Sequence, residues 1–172
     1  MPEHASGVEV LHRRFPPTGT IPNNPALPVV ILRGAFTPVP PDEICERFEK
    51  NGWTGTWVST VFDYHHYHPD AHEALAVASG RAEIQLGGPD GEVFAVVPGD
   101  CLVLPAGTGH CCLSASADFR VCGAYPAGQE AYTTRRAGAH AAQDADTISR
   151  VALPVSDPVF GKGGATVRAW WG

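Results

Sequence analysis

The sequence predicts an all-β domain with one short helix, and three observations carry that expectation. Glycine and proline are frequent, 19 and 16 of 172 residues, and they punctuate short apolar runs. The run "RAEIQLGG" alternates, with Ala82, Ile84 and Leu86 on one face and Arg81, Glu83 and Gln85 on the other. From Trp53 onward, strand-like runs and turn signals recur at short spacing, about eight strands in all, which suits a sandwich or barrel.

The elements follow in order. Residues 1–28 contain "FPPTGTIPNNPALP" and read as an extended arm with turns, a segment able to lie across another subunit. "VVILRGAF" (29–36) is a strand. A helix is expected over Asp42–Lys50. Pro40 and Pro41 precede it, acidic residues fill its first turn, Ile44, Cys45 and Phe48 form an apolar stripe, and Asn51–Gly52 ends it. "TWVSTVFDYHHYH" is one long strand or two, and "EALAVAS" is another. "GGPDG" (87–91) is a hairpin turn from which "EVFAVV" returns, and "PGD" (98–100) is a tight turn with proline first and glycine second. "CLVLP", "HCCLSA" and "DFRVCGAYP" complete the strands. After Pro126 the chain turns polar and alanine-rich, so a surface segment with little regular structure is expected there, with "VRAWWG" docking back.

Bulk properties exclude some functions. The net charge is -6, and no basic run exceeds Arg13–Arg14 or Arg135–Arg136, so no nucleic-acid footprint is visible. "MPEHASGVEV" lacks the charged and apolar regions of a signal peptide, and "VVIL" is far too short to span a bilayer. The five cysteines form no C-x-x-C pair and read as reduced, packed thiols of a cytoplasmic protein.

The stretch "YHHYHPDAHEALAVASG" (64–80) holds four of the eight histidines. Side chains two apart on a strand share a face, so His66 and His68 converge while His65 and Tyr67 point away. "PDAH" is a short loop, and Glu73 opens a strand that can run back beside the first. Two neutral imidazoles and one carboxylate on one side can hold a divalent transition metal with positions left open. "GDCLVLPAGTGHCCLS" then carries His110 onto a facing strand, with Gly107 and Gly109 permitting the turn before it.

These two stretches resemble the cupin family. Its pattern is G-x5-H-x-H-x3-4-E-x6-G, then G-x5-P-x-G-x2-H-x3-N. The chain has His66-x-His68-x4-Glu73-x6-Gly80 and Gly99-x5-Pro105-x-Gly107-x2-His110. Thr60 replaces the leading glycine and Ser114 the final asparagine. "IPNNPALPVVILRGAF" and "VCGAYPAGQE" extend the likeness to the small bacterial YjlB-like cupins.

The resemblance implies a single-domain double-stranded β-helix, a jelly-roll barrel spanning 29–126. The 1–28 arm precedes it, and a 127–172 extension packs on it. It also implies that His66, His68, Glu73 and His110 are metal ligands for one divalent ion: Fe, Mn, Ni or Zn. The expected activity is that of a metal-dependent enzyme on a small organic molecule, of dioxygenase, isomerase or decarboxylase type. The alternative is a non-catalytic binding or sensing cupin. Tyr64, His72, Arg120 and Tyr125 are candidate substrate-binding residues, Gln85 is a further polar candidate, and no separate general base is visible. A homodimer is expected, because cupins often pair and the arm has little to cover within one small barrel.

Overall fold

In a computed structural model of the chain, residues 7–172 are described; His4, expected on the surface, lies outside them. One sheet has the order β1 (Glu9–Arg13), β2 (Val29–Arg33), β8 (Cys101–Leu104), β5 (Glu73–Ser79), β10 (Arg120–Pro126), β3 (Trp53–Ser59). The second has the order β11 (Arg135–Arg136), β4 (His66–Tyr67), β9 (His110–Ala115), β6 (Ala82–Leu86), β7 (Glu92–Val96). All neighbouring strands pair antiparallel. Among the described residues no pairing joins one sheet to the other. The expected barrel is thus seen as two facing sheets, not as a closed one.

The first sheet is buried on both faces. Ile31, Leu75, Leu102 and Val121 meet Ile84, Leu86 and Phe94 of the second sheet in a core between the layers. On the opposite face Val30, Leu32, Ala76, Val103 and Cys122 pack under α1 (Pro41–Lys50) and α3 (Ala165–Trp171) through Ile44, Phe48 and Trp170. That is why "VVIL" and "CLVL" are continuously apolar while β6 alternates. Each large side chain so buried contributes about 1.5–3 kcal/mol.

Of the two readings of "TWVSTVFDYHHYH", two strands holds: β3 ends at Ser59, and His66–Tyr67 pairs again, in the other sheet. Two expectations are corrected. The C-terminal segment is more regular than expected, forming β11, α2 (Ala141–Ser149) and α3. The apolar stripe of α2 is thin, so tertiary contacts hold it. Tyr67 donates its hydroxyl to Asp144 at 2.5 Å, and Ile148 lies over Gly107.

The arm, finally, packs on its own chain, which removes the reason for expecting it to cover a partner. β1 pairs with β2, Ile21 is fully buried, and the buried Asn23 and Asn24 tie the arm to the loops beside β9. Asn23 Nδ2 donates to the Gly87 carbonyl at 3.0 Å, and Asn23 Oδ1 accepts from the Gly109 amide at 3.0 Å. The residue stands at φ 50, a left-handed conformation that asparagine tolerates better than most residues. Gly107 is required by its φ of +88 and by the Asn23 carbonyl, which a Cβ would approach to 2.6 Å. Gly109 has no positive φ; it is needed because a Cβ there would meet Ile21 at 2.7 Å.

Candidate metal centre

The cluster lies between the sheets. His66 and His110 are direct cross-strand partners in the β4–β9 pair, with ring centroids 4.0 Å apart. His68 follows β4, its ring 5.6 Å from that of His110. One nitrogen from each of these three buried histidines lies within 4.8 Å of the others. Glu73 does not run back beside β4, as the sequence suggested. It opens β5 in the first sheet and reaches the histidines from across the core.

Backbone carbonyls fix the rings. His66 Nδ1 meets the Tyr64 carbonyl at 2.9 Å, His68 Nδ1 the Thr133 carbonyl at 2.9 Å, and His110 Nδ1 the Thr108 carbonyl at 3.0 Å. A carbonyl only accepts, so each Nδ1 carries the proton, and each neutral ring keeps its lone pair on Nε2. His68 Nε2 lies 3.2 Å from Glu73 Oε2, and His110 Nε2 lies 3.1 Å from Glu73 Oε1. The second approach is not aligned for a hydrogen bond, and Oε1 is a buried acceptor without a partner. Oε2 accepts from the Tyr125 hydroxyl at 2.7 Å, and the Trp57 Nε1–H donates to that hydroxyl at 2.9 Å.

The protonation states follow from these surroundings. Burial alone would raise the Glu73 carboxyl; the neighbouring His68 and His110 imidazoles, His68 first, outweigh it and hold the group well below the usual carboxylate range. Burial would lower His68, but the Glu73 charge raises it. His66 is pushed down to about 3, by burial first and then by His110. Burial, then the Glu73 charge, raises the Tyr125 phenol, which stays protonated.

Three nitrogen lone pairs and an unsatisfied carboxylate oxygen facing one another within a few ångströms repel in the absence of a cation or added protons. This donor set fits a divalent transition metal. A cavity of about 240 Å³ opens beside it, walled by Trp57, Phe62, Leu75, Tyr125 and Tyr132.

The other sequence candidates divide. Tyr125 is placed in the site. Tyr64 does not line the cavity, because residues 60–65 form no strand and parity does not carry through them. Its ring stacks on Phe62 at 4.9 Å with Arg136 at 3.8 Å, and its carbonyl orients His66. His72 does not reach the cavity; it is fully buried outside it, accepting the Ala106 amide at 2.8 Å and packing on Trp170 at 4.8 Å. Arg120 sits on the exposed start of β10, opposite Ser79 at the far end of β5 from Glu73, and bonds the Phe119 carbonyl. Gln85 caps the hairpin turn through the Pro89 carbonyl at 2.9 Å. Cys111 and Cys112 are buried but outside the cavity, and burial raises both thiols.

Trp57, Tyr132 and Thr134 were missed. For the last two, a signal existed in "AYTTRR": Tyr132 and Thr134 are two apart and both face the cavity, while the intervening Thr133 carbonyl holds His68.

Two facing antiparallel sheets with an imidazole–carboxylate cluster between them define a cupin-type domain. The Cupin domain family model matches residues 55–121. The Bacillus subtilis (strain 168) protein described as "Uncharacterized protein YjlB" is 39% identical over 158 residues, covering 91% of this chain and 93% of that protein. The chain therefore belongs to the YjlB-like cupins. Among solved structures, it is similar to an acireductone dioxygenase from Bacillus anthracis with a cadmium ion in its active centre. That match has 19% identity and a TM-score of 0.39, and covers 51% of this chain and 60% of the dioxygenase. It is also similar to the DMSP lyase DddQ from Ruegeria pomeroyi, at 13% identity and a TM-score of 0.38, covering 75% of this chain and 51% of the lyase. Among the described residues no helix is long and apolar enough to cross a membrane.

Proposed function

We propose that this cupin is a metal-dependent enzyme acting on a small organic molecule, with one divalent ion (Fe, Mn, Ni or Zn) held by His66, His68, His110 and Glu73. The observation that carries the reading is the common tautomer: three backbone carbonyls take the Nδ1 protons of clustered histidines and leave their Nε2 lone pairs free, those of His68 and His110 beside the buried Glu73 carboxylate, whose Oε1 is unsatisfied. Bound there, such an ion supplies Lewis-acid chemistry of the kind used in dioxygenase, isomerase and decarboxylase reactions. The residues around it would hold Glu73 ionised, keep the Tyr125 phenol protonated and shield the centre with aromatic walls. The five free cysteines support a cytoplasmic setting.

One observation favours a second reading, a non-catalytic binding or sensing cupin. Among the described residues Glu73 is the only carboxylate lining the cavity; Tyr125 takes its Oε2, and its Oε1 would be given to the metal, so no free general base stands beside a bound molecule. The discriminating experiment loads purified protein with Fe(II), Mn(II), Ni(II) or Zn(II) and follows oxygen uptake and product formation with carboxylates, enediols and thiols. Turnover that depends on the metal supports the enzyme; binding without turnover across the panel supports the second reading.

A further inference from the structure

The walls of the cavity restrict what can occupy it. The chain has 12 lysines and arginines, and none lines the cavity. The basic residues nearest in sequence to its wall are engaged elsewhere. Arg135 is ion-paired with Asp144 at 2.8 Å, and Arg136 lies over the Tyr64 ring, which is not part of the wall. The polar tips of Trp57 and Tyr125 are spent on each other and on Glu73, so these residues offer an occupant mainly ring surface. What remains for hydrogen bonding is a set of neutral hydroxyls, on Ser59, Thr60 and Tyr132, with that of Thr134 already 3.3 Å from His68 Nδ1. The volume of about 240 Å³ corresponds to roughly eight waters at about 30 Å³ each.

We infer that the molecule taken by this cavity is small and monofunctional: one oxygen head group able to ligate the metal, on an apolar or aromatic body with no second anionic group. The inference rests on the metal reading above. An anionic tail would lose its water against aromatic walls without meeting a cation, which is costly. Dicarboxylates, phosphorylated sugars and nucleotides are therefore outside the class. Planar aromatic or short branched carboxylates, enols and hydroxy-ketones are within it, because ring surface is what the walls present.

A pair of probes of matched size tests this. 4-Nitrobenzohydroxamate and 4-carboxybenzohydroxamate share the ligating head and have tails of nearly the same shape, but only the carboxylate tail is charged. Each is titrated into Co(II)-loaded protein of known cobalt content, and the visible Co(II) absorption is followed. The nitro probe is expected to bind at least about tenfold more tightly, and Thr60→Lys, which places a cation on the exposed part of the wall, is expected to narrow the gap. Equal affinities, or tighter binding of the carboxylate probe by the wild-type protein, would overturn the inference while leaving the metal centre intact. Failure to retain Co(II) would overturn both.

Discussion

The Tyr125 hydroxyl donates to Glu73 Oε2 at 2.7 Å, so the tyrosine governs which carboxylate oxygen is free. Oε2 is taken, and Oε1 is left toward the histidines. In Tyr125→Phe a buried carboxylate oxygen loses its donor, and the Trp57 indole loses its acceptor. The expected outcome is a loss of about 1–3 kcal/mol of stability and a roughly 10–100-fold weaker hold on the metal. Chemical denaturation and chelator competition measure the two. Unchanged metal affinity in a folded variant would show that Tyr125 does not position Glu73.

Acid sensitivity is expected from His72. Burial lowers this imidazole to about 4, against an ordinary value near 6.5. The folded state therefore binds fewer protons than the unfolded state between those values. The sign follows: the contribution to stability is fully present above pH 6.5 and is lost as pH falls toward 4, amounting to about 2 kcal/mol by pH 5. His72→Gln should flatten the pH dependence of the urea midpoint between pH 7 and 5 by that amount, with both proteins in the same metal state. Parallel curves for the two would contradict the assignment.

Asn23 is expected to matter to the metal although it lies far from it in sequence. Its side chain bridges the Gly87 carbonyl and the Gly109 amide, one residue before His110. Asn23→Ala leaves both groups buried without that partner, for an expected cost of about 2 kcal/mol or more, and loosens the turn that aims His110. Thermal melts of the metal-loaded and chelator-treated variant should both shift down. A melt identical to wild type would show that the bridge is dispensable.

Much of this was legible in the sequence, and the reasons are local. The alternation of "RAEIQL" is the face code of a strand with one face in the core, and β6 shows it: Ala82, Ile84 and Leu86 are buried, and Glu83 is exposed. His66, His68 and His110 come together as the sequence suggested, and Glu73 reaches His68 and His110, though from the other sheet. The readings that did not hold depend on non-local facts. Strand parity through "YHHYH" would put Tyr64 on the face of His66 and His68, but parity holds only while a strand lasts, and residues 60–65 are the crossing between sheets. His72 belongs by alternation to the face of Ala74 and Ala76, the outer face of the first sheet. Only the docking of α3, with Trp170 on His72, shows that this face is also buried. Tyr132 and Thr134 lie in a stretch whose composition reads as surface, and its contact with His68 depends on β11 pairing with β4.

The most direct test of the metal centre is elemental analysis of the purified protein beside His110→Ala. About one Fe, Mn, Ni or Zn ion per chain in the wild type, lost from a still-folded variant, is the predicted result. A wild-type protein that takes up no divalent metal under reducing conditions, or a variant that keeps its full complement, would contradict it.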